Sequence, residues 1–137
     1  MEEYNRRLIE EFRAGRVEPG GPLEGRPLLL LTTTGAKTGR RHTTPLMYVL
    51  DGGRLFVIAS NAGAPRHPDW YRNLSADPGV TVEVGAETYE ATAAELEGEE
   101  RERVWGEIVA SYPFFAEHEE KAAPRRIPVV ALEPLAG

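Results

Sequence analysis

Residues 42–60 read HTTPLMYVLDGGRLFVIAS, and this stretch decides the fold. Asp51-Gly52-Gly53 separates two short runs, 42–50 and 54–60, each rich in β-branched and aromatic residues. Glycine accepts the positive φ that a tight hairpin demands, so the pattern predicts two antiparallel strands joined directly. Pro45 cannot donate to a sheet ladder and is expected at a strand edge or bulge.

Working outward, residues 28–34 (LLLLTTT) form a short apolar run ending in β-branched residues, which predicts a buried strand. Residues 80–84 (VTVEV) alternate, and Gly85-Ala86 turns them into 88–96 (TYEATAAEL), a second hairpin. Residues 127–132 (IPVVAL) supply a final strand. Pro68 and Asp69 suit the start of a helix over 69–76, and Pro78-Gly79 ends it. Residues 99–112 predict a longer helix whose acidic first turn favours the helix dipole. Its inward face is Val104, Ile108, Val109 and Tyr112. Pro113 breaks it, and a short helical piece follows. At the N-terminus Tyr4, Leu8, Ile9 and Phe12 recur at helical spacing, and residues 15–27 are rich in Gly and Pro. The reading is an amphipathic helix and linker over 1–27, then one domain over 28–137. About six short strands joined mostly by hairpins predict a small, mainly β, antiparallel barrel with flanking helices. The connections are too short for crossover helices, which disfavours a doubly wound parallel sheet.

The 137 residues fit a single domain with a real core, and 41% hydrophobic with 28% charged residues is ordinary for a soluble protein. A net charge of −6 argues against sequence-independent nucleic-acid binding. Any anionic ligand must therefore be held by a local basic cluster. The absence of cysteine excludes disulfides, thiolate metal sites and cysteine nucleophiles. No apolar run is long enough to cross a bilayer, and the N-terminus lacks the apolar core of a signal peptide. The expected location is cytoplasmic. The N-terminal helix is expected to dock on the domain or a partner, with weak contact to a membrane surface as the alternative.

Three segments could carry chemistry. The first, Gly35-Ala36-Lys37-Thr38-Gly39-Arg40-Arg41-His42, crowds three permanent cations and a histidine into a glycine-bounded loop. Backbone N–H groups with Lys and Arg make a seat for phosphate or carboxylate, and a solvated hairpin tip is an equal alternative. It is no Walker A loop, since the glycine spacing differs and a strand follows. The second runs over 59–73, where small residues leaving a strand let a flat ligand approach the backbone. There Trp70 reads as a core anchor or as a pocket wall, and Asn73 as a cap or as a bond to the neighbouring loop. The third is the aromatic group Tyr112, Phe114, Phe115 and His118, which reads as packing at a helix end or as a substrate mouth. His42, His67 and His118 lack zinc spacing, and no GxSxG elbow is present, so metal and serine-hydrolase chemistry have no support.

Taken together, LLLLTTTGAKTGR, TTPLMYVLDGGRLFVIAS, GAP-R-HPDWYRNL, DPGVTVEV and YP…IPVVALEP resemble the deazaflavin-dependent nitroreductase family of F420-dependent oxidoreductases, in that family's order from Leu28 to Pro134. The resemblance implies a split β-barrel related to FMN-binding barrels, with reduced coenzyme F420 as cofactor. It implies that F420H2 passes a hydride to a small organic acceptor such as a quinone, enone or nitro compound. Lys37 and Thr38, with Ala36, match positions that hold the phosphate and polyglutamate tail, and Arg40, Arg41 and His42 stand beside them. Thr43, Thr44, Pro45, Leu46 and Met47 match the strand under the deazaflavin. Ile58, Ala59, Ser60 and Asn61, with Asp69, Trp70, Tyr71, Arg72 and Asn73, match segments closing around the ring and ribityl chain. Tyr112, Phe115 and His118 match the wall facing the substrate. No side chain is assigned as catalytic; the Ser60 hydroxyl and backbone N–H groups near Ser60 and Asn61 are the candidates for stabilising charge during hydride transfer. The chain departs from the family pattern in having His42 in place of an arginine, Asn61 in place of a lysine, and Phe115 and His118 in place of tyrosines. Lost phenols remove a hydrogen-bond or proton donor, which separates nitro reduction from quinone or enone reduction. The alternatives are a non-catalytic F420 carrier and an FMN-binding barrel. The chain is expected to be a monomer or a homodimer.

Overall fold

The computed structural model describes residues 2–14 and 28–135, with side chains from residue 6 onward. The predicted linker over 15–27 lies outside the described residues. Six strands, β1 (Leu28–Thr34), β2 (Arg41–Asp51), β3 (Arg54–Ile58), β4 (Gly79–Val84), β5 (Glu87–Glu95) and β6 (Val129–Pro134), close into an antiparallel barrel. Its order is β1-β2-β3-β6-β5-β4. Four helices accompany it: α1 (Glu2–Arg13), α2 (Asp69–Ala76), α3 (Gly98–Ser111) and α4 (Phe114–Ala122).

The two expected hairpins are present. Asp51 pairs with Arg54 across a two-residue turn in which Gly52 (φ 60°) and Gly53 (φ 80°) both take positive φ, as the hairpin geometry requires. The last strand begins two residues later than the sequence predicts. Pro128 has no N–H to give, and the ladder with β3 starts only at Val129.

Side-chain alternation sorts the barrel wall into an inside and an outside. Leu29, Leu31, Val57, Ala59, Val80, Val82, Ala91, Val130 and Leu132 point inward and pack together, and Trp70 and Leu74 of α2 join them. On the opposite face Val49, Phe56, Ile58, Val129 and Ala131 meet Val104, Trp105 and Ile108 of α3 and Phe115 and Ala122 of α4. Leu28 and Leu30 meet Leu8 and Phe12 of α1. The run LLLL is therefore apolar without alternation because both faces of β1 are covered.

The inward face of α3 is Arg101, Val104, Trp105 and Ile108, with Val109 and Tyr112 only partly buried. Arg101 and Trp105 were not expected there. Arg101 is 4% exposed, donates to the Ile127 carbonyl at 2.7 Å, and holds its guanidinium 4.8 Å from the Trp105 ring centroid. Stacking and the carbonyl satisfy a charge that the helical pattern alone would place in water.

α1 spends Leu8 (4% exposed) and Phe12 (7% exposed) on the barrel, and Arg13 forks onto Glu83 of β4 at 3.0 and 2.8 Å. The membrane-contact alternative is not supported, since the apolar face it needs is already buried. No helix among the described residues is long and apolar enough to cross a membrane.

Ile108 is 1% exposed at the seam between α3 and the barrel. Ile108→Ala is expected to lower stability by about 2–5 kcal/mol, from lost burial plus the cavity left behind. Chemical denaturation measures this, and wild-type stability in the variant would contradict the packing described.

Candidate functional site

The registered β2–β3 pairs run only from Tyr48 to Asp51, so the first half of β2 pairs with β1 alone. Pro45 stands in that half, opposite Leu30, where a missing donor is tolerated. The barrel wall is therefore split there. A cavity of about 640 Å³ lies along this half of β2, between the 35–40 loop and the start of α2.

The loop is closed on itself. Gly35 N–H donates to the Arg40 carbonyl (2.7 Å), Gly39 N–H to the Gly35 carbonyl (2.9 Å), and Arg40 N–H to Thr38 Oγ1 (3.2 Å). Ala36 N–H donates to Asn73 Oδ1 (3.0 Å), and Asn73 Nδ2 donates to Thr33 Oγ1 (3.2 Å), so α2 is tied to both β1 and the loop. These four N–H groups are committed internally. A ligand entering beside the loop therefore meets fewer free amides than the sequence suggests. Gly35 is needed for close approach: a Cβ there would stand 2.7 Å from Thr38 Oγ1 and 2.9 Å from His42 Nε2.

Of the residues expected from sequence, Ala36, Lys37, Thr38, His42, Thr43, Thr44, Asp69, Trp70, Arg72 and Asn73 line the cavity. Gly35 and Arg66, which the sequence placed in the same two segments without assigning them a contact, join them. Lys37, Arg66, Arg72 and His42 face a single carboxylate, Asp69, a local reversal of charge in a chain of net −6. Trp70 is both things the sequence left open, a plug in the barrel core and a wall of the cavity.

Other expected residues lie elsewhere. Arg41 turns to Thr34 Oγ1 (2.9 Å) and Thr81 Oγ1 (2.7 Å), and Thr81 in turn donates to Glu90. Arg40 is exposed outside the cavity lining. Leu46 packs with the barrel interior and Met47 and Ile58 with the α3–α4 side. Tyr71 donates to Glu95 and tilts against the His67 ring at 4.6 Å. Phe115 is 5% exposed and locked among Trp105, Tyr112 and Phe114. His118 and Ser60 also lie outside the cavity lining, with His118 Nδ1 3.3 Å from Ser60 Oγ and the Phe114 ring 5.4 Å from the imidazole.

Ser60 opens a short 3-10 turn, Asn61–Gly63, that follows β3. Asn61 (φ 50°) and Ala62 (φ 54°) both adopt the left-handed region, which costs a non-glycine residue free energy and persists only where neighbours impose it. The turn is bracketed by Arg125, a residue the sequence reading passed over because nothing in its local spacing marks it. Its guanidinium donates to the carbonyls of Ala59, Ser60 and Ala64.

A second cavity of about 650 Å³ opens beside Tyr48, Tyr89, Arg54, Glu87 and Glu133. The one cation that lines it among the described residues, Arg54, is already paired with Glu100 (3.1 Å) and lies 3.9 Å from Glu133. It offers an anion nothing comparable to the first.

The family model for F420H(2)-dependent quinone reductases matches residues 4–134. An F420H(2)-dependent quinone reductase of Mycobacterium tuberculosis strain H37Rv is 38% identical over 122 residues, 88% of this chain and 79% of the relative. Among solved structures, an F420-H2 dependent reductase (FDR-A) superposes with TM-score 0.70 at 47% identity, covering 79% of this chain and 95% of that one. Another, described as a domain-swapped dimer, reaches TM-score 0.71 at 41% identity and covers 93% of this chain and 98% of that one. The heme storage protein HutZ of Vibrio cholerae, at 22% identity and TM-score 0.61 over 94% of this chain and 89% of its own, shares the fold alone. A match along nearly the whole chain, on a split barrel with a cation-lined cavity, places this protein in the F420H2-dependent quinone reductase family, the oxidoreductases that take reduced coenzyme F420 as cofactor.

Proposed function

We propose that this chain reduces a small quinone with F420H2 bound in the cavity beside β2. The observation that carries the reading is the local reversal of charge: Lys37, Arg66 and Arg72 gather around a cavity in an otherwise acidic protein. F420 carries a phosphate and a carboxylate tail, and those donors match such a group as charge-assisted partners. When bound, the reduced deazaflavin supplies a hydride.

The chain's own part is orientation and proton supply. Lys37, Arg66 and Arg72 hold the anionic tail. Trp70 gives the ring end a flat apolar wall. A quinone receiving a hydride needs one further proton, and Ser60 Oγ with His118 Nδ1 is the protonable pair next to the turn. His118 stands where the family pattern has a phenol, which favours a quinone oxygen over a nitro group as acceptor. Residues 28–137 form the cofactor-binding unit, and α1 docks on it. A homodimer is supported by the relative described as a domain-swapped dimer; light scattering after size exclusion decides between one copy and two.

Fluorescence titration with F420, FMN and FAD identifies the ligand, and F420H2 oxidation against quinones, enones and nitro compounds identifies the acceptor. F420 is expected to bind and FMN to compete poorly; tight FMN binding without an F420 response overturns the reading. Lys37→Ala and Arg66→Ala are each expected to weaken F420 binding about tenfold, roughly 1.4 kcal/mol, and the loss should shrink at high salt. Arg41→Ala should leave affinity within about twofold, since its guanidinium is engaged with Thr34 and Thr81. Unchanged affinity in both Lys37→Ala and Arg66→Ala contradicts the assigned seat. Ser60→Ala is expected to slow turnover; an equal rate removes the hydroxyl from the mechanism.

A further inference from the structure

A guanidinium has five N–H donors and no acceptor. All five of Arg125's are committed within residues 59–67. Nε donates to the Ala64 carbonyl (3.0 Å), and Nη2 donates to Ala64 (2.9 Å) and Ser60 (2.7 Å). Nη1 donates to Ala59 (3.1 Å) and meets His67 Nδ1 at 3.0 Å. Because Arg125 only donates, His67 Nδ1 must accept, and the imidazole is neutral with its proton on Nε2. The turn so held contains the two left-handed residues Asn61 and Ala62 and carries Ser60, whose hydroxyl faces His118.

We propose that Arg125 is a positioning residue for the reaction: it locks the Ser60–Ala64 turn so that Ser60 stays against His118, and the lock opens when His67 gains a proton. This rests on the functional reading above, and it adds a residue that lies outside the cavity lining. A lysine cannot replace it, because one ammonium has three donors and no planar fork to span three carbonyls and a ring nitrogen.

The groups facing His67 agree. Burial lowers its pKa below the usual histidine value, the Arg125 charge lowers it further, Glu95 opposes, and Arg72 adds to the lowering. The Tyr71 ring covers one face. A folded-state pKa held below the unfolded value of about 6.5 means that the neutral lock stabilises fully above that pH. The stabilisation is lost as pH falls through the lower folded-state value. The melting-temperature advantage of wild type over His67→Gln, without ligand, is expected to shrink from pH 7.5 to 5; a constant difference overturns the pH element.

The deciding experiment compares wild type with Arg125→Lys by nitrogen NMR of labelled histidine and by steady-state kinetics. Only His42, His67 and His118 contribute signals. In wild type, His67 is expected as the Nε2–H tautomer at pH 7.5, titrating below the usual value. In Arg125→Lys it should titrate nearer that value, and the His118 Nδ1 signal should shift. Turnover should fall at least about tenfold with the KM for F420H2 within about threefold, because the anion seat is untouched. Methylguanidinium should partly restore turnover to Arg125→Ala. Unchanged histidine signals, or wild-type turnover in Arg125→Lys, overturns the proposal. Should wild type itself fail to oxidise F420H2 with any quinone, the functional reading is what fails, and the lock is then judged on the NMR alone.

Discussion

A six-stranded wall this small must exclude water from its inner face and from most of its outer face. Everything else follows from that demand. The inner face is filled by alternate residues from every strand and closed at one end by Trp70 and Leu74. The outer face is covered by α3 and α4 on one side and α1 on the other. Strands buried on both sides gain roughly 25 cal/mol per Å² of apolar area over both faces, which is how a chain of 137 residues supports a stable barrel.

The site arises where that closure is incomplete. β2 is long, but only its second half is registered with β3, and His42, Thr43 and Thr44 of the first half line the cavity. The cavity is bordered by a glycine-bounded loop and the start of α2, and the 3-10 turn lies outside its lining. Two side chains hold them, Asn73 from α2 to the loop and Arg125 to the turn. The loop and the turn are thus each tied by one hydrogen-bonding side chain, and the barrel supplies the rigid frame.

What could be read in advance divides along the range of the interactions. The Asp51-Gly52-Gly53 hairpin, the bounds of α2 and the charge of the loop are local features, and each was legible from a few neighbouring residues. Asn73 was read as a cap or as a bond to the neighbouring loop, and the second is what the structure shows. Arg125 was not, since its partners lie about 60 positions earlier and no spacing rule connects them. Arg101 was missed for the opposite reason: a charged residue at a helical core position reads as polar until Trp105 and the Ile127 carbonyl are in place. The outward turn of Arg41 likewise depends on Thr81 of a strand that is distant in sequence.

The central claim is that the cations beside β2 hold the anionic end of the coenzyme. A crystal structure of the complex with F420 tests it most directly. The account predicts phosphate and carboxylate oxygens within hydrogen-bonding distance of Lys37 and Arg66, with the ring end toward Trp70. Coenzyme density at the Tyr48–Tyr89 opening, with the 35–40 loop contacting nothing, would contradict it.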